Sequence, residues 1–273
     1  MLAVTRYTVV ELTRRRLLLV FVVLGVLLTV GLGLEPLVVP GSPTGQERSV
    51  FLLGSLPGTV GLAVELCALA VGMTVINHDL ESGAIVGILT KPLSRAGYAL
   101  GKLLAAAVLL AVLDALFAAG AILLMVINGG GHIATLAGFF AFTAANVVLL
   151  TVLVMMLTVY LNNIVAVVIV LVYSFLDGAL ITLHALVQNH QITAPLWSAV
   201  VTVAYWLVPH ALSSNLQRDI VESNMHLHPK AFQGGSALAS VPQMAGPGEI
   251  AYWLAYLAVI CFILYLALRR KQV

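Results

Sequence analysis

The sequence predicts an all-α integral membrane protein with six transmembrane helices in a single domain over residues 1–273. Three observations predict it. Hydrophobic residues make up 61% of the chain and charged residues only 9%. A typical soluble domain carries about 25% charged residues, so this chain has too little polar surface to cover its core in water. Apolar runs reaching the roughly 20 residues needed to cross a bilayer recur along the sequence. The cationic residues also segregate. With the N-terminus inside, Arg6, Arg14, Arg15, Arg16, Lys91, Arg95, Lys102, Arg269, Arg270 and Lys271 fall on the cytoplasmic side, leaving Arg48, Arg218 and Lys230 outside. Both termini are therefore expected in the cytoplasm. The net charge of +2 gives no reason to expect a nucleic-acid partner.

The first 16 residues can form an interfacial helix, with Ala3, Tyr7 and Val10 on one stripe and Arg6, Thr13 and Arg14 placed to meet headgroups. The apolar run Leu17–Leu34 that follows is longer than the ~7–15 residues of a signal-peptide core and no Ala-x-Ala site succeeds it, so it is expected to stay as the first span. The six spans are predicted at 17–38, 51–76, 98–127, 133–161, 164–187 and 250–268. Asn128 to His132 and Asn162-Asn163 provide tight turns, because Gly and Asn tolerate positive φ. In span two, Gly54, Gly58 and Gly61 with Pro57 predict a kink or close packing. Cys67 and Cys261 lie in apolar runs and read as packing residues.

Residues 188–249 are expected on the outer face. Thr193–Pro209 is apolar enough to tempt a seventh span, but a crossing there would put Arg269, Arg270 and Lys271 outside. A re-entrant or interfacial helix ending at Pro209 is the better reading. Ser213–Glu249 is polar and rich in Gly, Ser and Pro, the composition of a loop or small cap. No internal repeat is visible, so nothing points to an inverted-repeat carrier.

The connector 77–97 between spans two and three holds the most information. Asp79 or Ser82 can cap a short helix whose first turn is acidic (Asp79, Glu81). Ile85, Ile88 and Leu89 fall at i, i+3 and i+4 on one face, and Pro92 ends the helix. This is a short amphipathic helix held between two long ones, which a cytoplasmic partner can grip.

The run Glu81-Ser-Gly83-Ala-Ile85, then Leu89-Thr-Lys91-Pro92-Leu-Ser-Arg95, then Gly101-Lys102, resembles the type-2 ABC exporter permeases. Those proteins carry a Glu-x-Gly, Leu-x-x-Pro-x-x-Arg, Gly-Lys pattern around a coupling helix. Within the family the chain is most similar to permeases of nitrous-oxide-reductase maturation systems. Tyr205 to His210 is also similar to the family's re-entrant region, although the loop before the last span is longer than in minimal members. The resemblance implies a homodimer in a bacterial inner membrane. A separate ATPase dimer would bind ATP and Mg and dock on Asp79, Glu81, Gly83, Ile85, Ile88, Leu89, Lys91, Pro92 and Arg95. A periplasmic cargo or accessory protein would meet the outer face. The chain itself is expected to be non-catalytic and to bind no cofactor. Its nearest phosphate-loop imitation, Gly97 to Leu103, lacks a spacer residue and the hydroxyl residue after Lys102.

Glu65, Asp114 and Asp177 sit inside spans, where an ionisable group costs about 2.5–3.5 kcal/mol or more. With His184, seven residues after Asp177 and on the same face, they are candidates for a polar pathway. That pathway is the basis of an alternative reading as an ion- or metal-coupled carrier with no ATPase. The competing expectation is interhelical pairing with Asn146, Ser174, Thr182 or His184. Met225, His226, His228 and Met244 have side chains suited to copper, but solvated loop residues are the simpler expectation without a repeated ligand spacing. No hydrolase motif is present.

Overall fold

The computed structural model describes residues 2–14, 16–38, 46–76, 79, 95–129, 131–227 and 241–270. The described residues form nine α-helices and no strand: α1 (Leu2–Thr13), α2 (Arg16–Val38), α3 (Gln46–Val75), α4 (Arg95–Ile127), α5 (Ile133–Tyr160), α6 (Asn163–Gln188), α7 (Pro195–Leu207), α8 (Leu216–Leu227) and α9 (Pro247–Arg270). Five of them, α3, α4, α5, α6 and α9, are long and apolar enough to cross a membrane. Their outward surfaces are apolar as well, with Phe175 of α6 77% exposed and Ile164 73%. Water cannot be the solvent for such a face. The chain is a multi-pass helical membrane protein.

The predicted spans follow these helices within a few residues, apart from an α3 that begins earlier. The helix α2 has 23 residues, but its described apolar stretch, Leu19–Leu34, falls short of the other five. At about 1.5 Å per residue, the 13-residue α7 is too short to span a hydrocarbon core of about 30 Å, and it packs against α6. Ser213–Glu249, expected as a loop or small cap, contains α8. Asp219 in its first turn and an Arg218–Glu222 ion pair at i, i+4 support this amphipathic helix.

The turns use local chemistry that the sequence only partly announces. After α4, Gly129 has φ 126° and His132 has φ 57°, and the Asn128 side-chain amide donates to the Leu124 carbonyl at 2.8 Å. Asn162 works differently. Its backbone is extended, and its side chain accepts from the Ile164 N–H at 3.1 Å as an N-cap of α6. The end of α6 closes with His190 at φ 56°, the His190 N–H bonding Val187 O and the Gln191 N–H bonding Leu186 O. This is the paired geometry of a helix ended by a left-handed residue.

Helices α3 and α5 form the centre, and α2, α4, α6, α8 and α9 pack around them. Leu52, Leu56, Val60, Val64, Cys67 and Val71 turn one face of α3 inward at the three- and four-residue spacing of a buried helix stripe. At Gly72 the two helices pack closely, and an added Cβ would lie 2.9 Å from Val154 Cβ and 3.1 Å from the Thr151 carbonyl. A Gly72→Ala protein is expected to lose about 1–3 kcal/mol, the cost of overpacking a close helix pair. Thermal unfolding in detergent measures it. Gly58→Ala, which points into open space, is the control and should leave the melting temperature in place.

Candidate functional site

Two clusters of polar side chains stand at opposite ends of the bundle. At the end where α1 meets the start of α4, Lys102 is 2% exposed. Its Nζ lies 2.9 Å from Asp79 Oδ2 and 3.6 Å from a Glu11 carboxylate oxygen. Tyr98 Oη donates to the same Asp79 oxygen at 2.6 Å. The sequence builds this joint simply. Tyr98 and Lys102 are four apart on the first turns of α4, Glu11 is on the last turn of α1, and Asp79 follows α3 with its N–H bonded to the Ile76 carbonyl. Thr5 adds a bond from its hydroxyl to the Gly101 carbonyl at 3.2 Å. One lysine thus ties together α1, the chain leaving α3 and the chain entering α4.

The cluster brackets the connector on both sides. Of the expected docking residues, Asp79 is described, and it is turned inward and 5% exposed. Glu81, Gly83, Ile85, Ile88, Leu89, Lys91 and Pro92 lie outside the described residues, and Arg95 is described only as the first backbone position of α4. Of the predicted N-terminal stripe, Tyr7 and Val10 are exposed, while Thr8 and Leu12 face the bundle.

At the opposite end, the chain between α7 and α8 folds back into the bundle and is held by three spans. From α5, Asn146 makes a matched pair of bonds to Leu212, accepting from its N–H at 2.8 Å and donating to its carbonyl at 3.0 Å. From α6, Asp177 Oδ2 accepts from the Ala211 N–H at 3.0 Å, and the Tyr173 hydroxyl donates to the Pro209 carbonyl. From α9, the Tyr252 hydroxyl donates to the Trp206 and Val208 carbonyls, each at 3.0 Å, and the Tyr256 hydroxyl donates to that of Leu207. A turn between helices exposes backbone groups that no helix ladder satisfies, and here side chains from neighbouring helices satisfy them.

Beside this turn runs a column of rings. His184 stacks on Tyr205 at 3.7 Å and 9°, Tyr205 on His210 at 3.8 Å and 24°, and His210 on Tyr252 at 4.8 Å and 14°. His210 Nδ1 donates to the Tyr205 carbonyl at 3.1 Å. Burial pushes the His210 imidazole below its ordinary range, against the opposing pull of the Tyr205 and Val208 carbonyls and Glu249. Glu249 accepts from the Tyr205 hydroxyl at 2.9 Å and, with its other oxygen, from the Gly246 N–H at 3.1 Å. The second bond is the carboxylate half of a capping box at the start of α9.

The intramembrane candidates divide. Glu65 pairs with the Ser174 hydroxyl on α6, one of the anticipated interhelical pairings. Asp177 pairs with the backbone of the turn after α7 rather than with His184, and its Oδ1 has no partner among the described residues. Asp114 is 4% exposed on α4, and its Oδ1 has none either. His184 belongs to the ring column. Met225 and His226 end α8, Met244 lies in the approach to α9, and His228 is outside the described residues. No group of three His, Cys, Asp or Glu side chains is placed to hold a metal among the described residues. Sequence reasoning missed the joint at Lys102, whose signal was a lysine and a tyrosine four apart at the mouth of a span. It also missed the column, whose signal was a run of aromatics around Pro209. No family model matches the chain, and no curated protein matches it.

Proposed function

We propose that the chain is the membrane-spanning, non-catalytic subunit of an ABC export or maturation system in a bacterial inner membrane. It works as a homodimer with two copies of a separate ATPase, which binds ATP and Mg. In this reading α2 is the sixth span, since 23 residues make about 34 Å of helix at about 1.5 Å per residue. The end bearing Lys102 is cytoplasmic, α1 is the interfacial elbow, and 77–97 carries the coupling helix. The observation that carries the reading is the buried joint of Lys102, Asp79, Glu11 and Tyr98. It clamps both ends of the connector to the elbow, so a push on the connector moves two spans together rather than bending a loop. A nucleotide-driven change needs such differential contacts between two states.

Capture of the partner tests it. Tagged protein from native membranes is expected to bring down an ATPase subunit, and Glu81→Lys should abolish that capture without lowering the amount of folded permease. Recovery of folded protein with no ATPase overturns the proposal. The reading as an ion-coupled carrier is favoured by the buried, unpartnered oxygens of Asp114 and Asp177. In the same preparation, Asp177→Asn that abolishes transport with ATPase capture intact would favour it.

A further inference from the structure

Beside the ring column, α6, α7 and the approach to α9 line a half-open pocket of about 220 Å³. Its polar lining includes His184, Gln188, Tyr205, Gln243 and Glu249, with Met244 at one wall. We propose that this pocket binds a small primary ammonium group, with the Glu249 carboxylate as its counter-ion. The site is independent of the ATPase reading, because it lies within one copy of the chain at the opposite end from Lys102.

Four observations support it. First, among the described residues the lining supplies acceptors and one carboxylate and includes no Lys or Arg. Second, Glu249 is held in position before any ligand arrives, by the Tyr205 hydroxyl on one oxygen and the Gly246 N–H on the other. A carboxylate oxygen has a further lone pair to offer an ammonium. Third, Gln188, the last residue of α6, lines the pocket, so the negative end of that helix dipole lies beside it; Glu249 offsets the opposite end of α9. Fourth, the walls are fixed: His184 is stacked on Tyr205, and the Ser213 hydroxyl and carbonyl bond the Gln243 carbonyl and the Ala245 N–H. A rigid, pre-charged site loses little on binding.

Size narrows the ligand. A volume of about 220 Å³ is below the roughly 300–1,000 Å³ of sites for drug-sized ligands and suits an amine with few non-hydrogen atoms. An anion is disfavoured by Glu249. A neutral diol fills the space but leaves the carboxylate without a counter-charge. The ammonium can be free in solution or belong to an ethanolamine lipid headgroup, and the two sources are separable.

Isothermal titration of the full chain in detergent with ethanolamine is expected to give saturable binding, and ethylene glycol to give none. Glu249→Gln keeps an acceptor for the Gly246 N–H and should weaken binding at least tenfold. Gln188→Lys, at the exposed rim, should do the same without touching the fold. Free ethanolamine binding in detergent identifies a soluble amine as the source. If it is silent and the chain in nanodiscs retains phosphatidylethanolamine over phosphatidylcholine in a Glu249-dependent way, the source is the lipid. Absence of both, or unchanged binding by Glu249→Gln and Gln188→Lys, overturns the proposal. So does silver(I) binding without amine binding, which would assign His184 and Met244 to a soft metal.

Discussion

Lys102→Met is expected to destabilise the protein by about 3–5 kcal/mol, the cost of leaving buried carboxylates without their cation. Lys102 is 2% exposed, and the side chains of Asp79 and Glu11 are 7% and 19% exposed, so little water is available to replace the lost ammonium. Methionine nearly matches the lysine stem in volume, so the loss is electrostatic rather than steric. Tyr98 cannot compensate, since its hydroxyl already donates to Asp79. Thermal unfolding of the purified chain in detergent measures the effect. A triple variant with Lys102→Met, Asp79→Asn and Glu11→Gln separates charge from shape. Neutralising the whole cluster removes the desolvation cost along with the attraction, so at least half of the lost stability should return. A Lys102→Met protein that melts like wild type would show that the three charges do not depend on one another.

The triple variant also addresses function. Under the ABC reading, it should fold and capture the ATPase but hydrolyse ATP without moving cargo, because the elbow and the connector no longer share a rigid joint. Stability and coupling therefore part company in one protein, which a merely structural ion pair would not produce.

Five of the six predicted spans were legible in the sequence because lipid imposes a simple rule: every backbone group must be satisfied within a helix, and the helix must be long and apolar. The short α7 was legible for the same reason, through its length and Pro209. What was not legible is how polar residues choose partners across the bundle. Asp177 and His184 are seven apart on one face, which suggested a joint role. Instead Asp177 turns to the Ala211 N–H and His184 to the Tyr205 ring, because the turn after α7 brings orphan backbone groups to α6. No spacing in α6 announces where α7 will end. The Lys102 joint was hidden likewise: Glu11 and Lys102 are far apart in sequence, and only the packing of α1 on α4 brings them together. Lys102 was instead read as one charge in a positive-inside count and as part of a motif.

Asn146→Leu is expected to cost about 2–5 kcal/mol, more than most single changes on a membrane helix. One side chain satisfies both the N–H and the carbonyl of Leu212, a residue only 7% exposed. Leucine fills the space but offers neither donor nor acceptor, and each orphaned buried group costs about 1–3 kcal/mol. Asp177→Asn is the matched comparison, since its amide oxygen can still accept from the Ala211 N–H; it should cost under about 1 kcal/mol, a lost charge assistance rather than a lost bond. Hydrogen exchange resolves the mechanism. The amides of residues 211–213 should exchange faster in Asn146→Leu, with those of α5 itself still protected. The consequence extends to the pocket, because Ser213 follows Leu212 and holds the Gln243 wall. Asn146→Leu should therefore weaken ethanolamine binding although Asn146 does not line the pocket, and a second substitution at Glu249 should add less than its effect in the wild-type chain. Fast exchange with unaltered amine binding would mean that the turn and the pocket wall move independently.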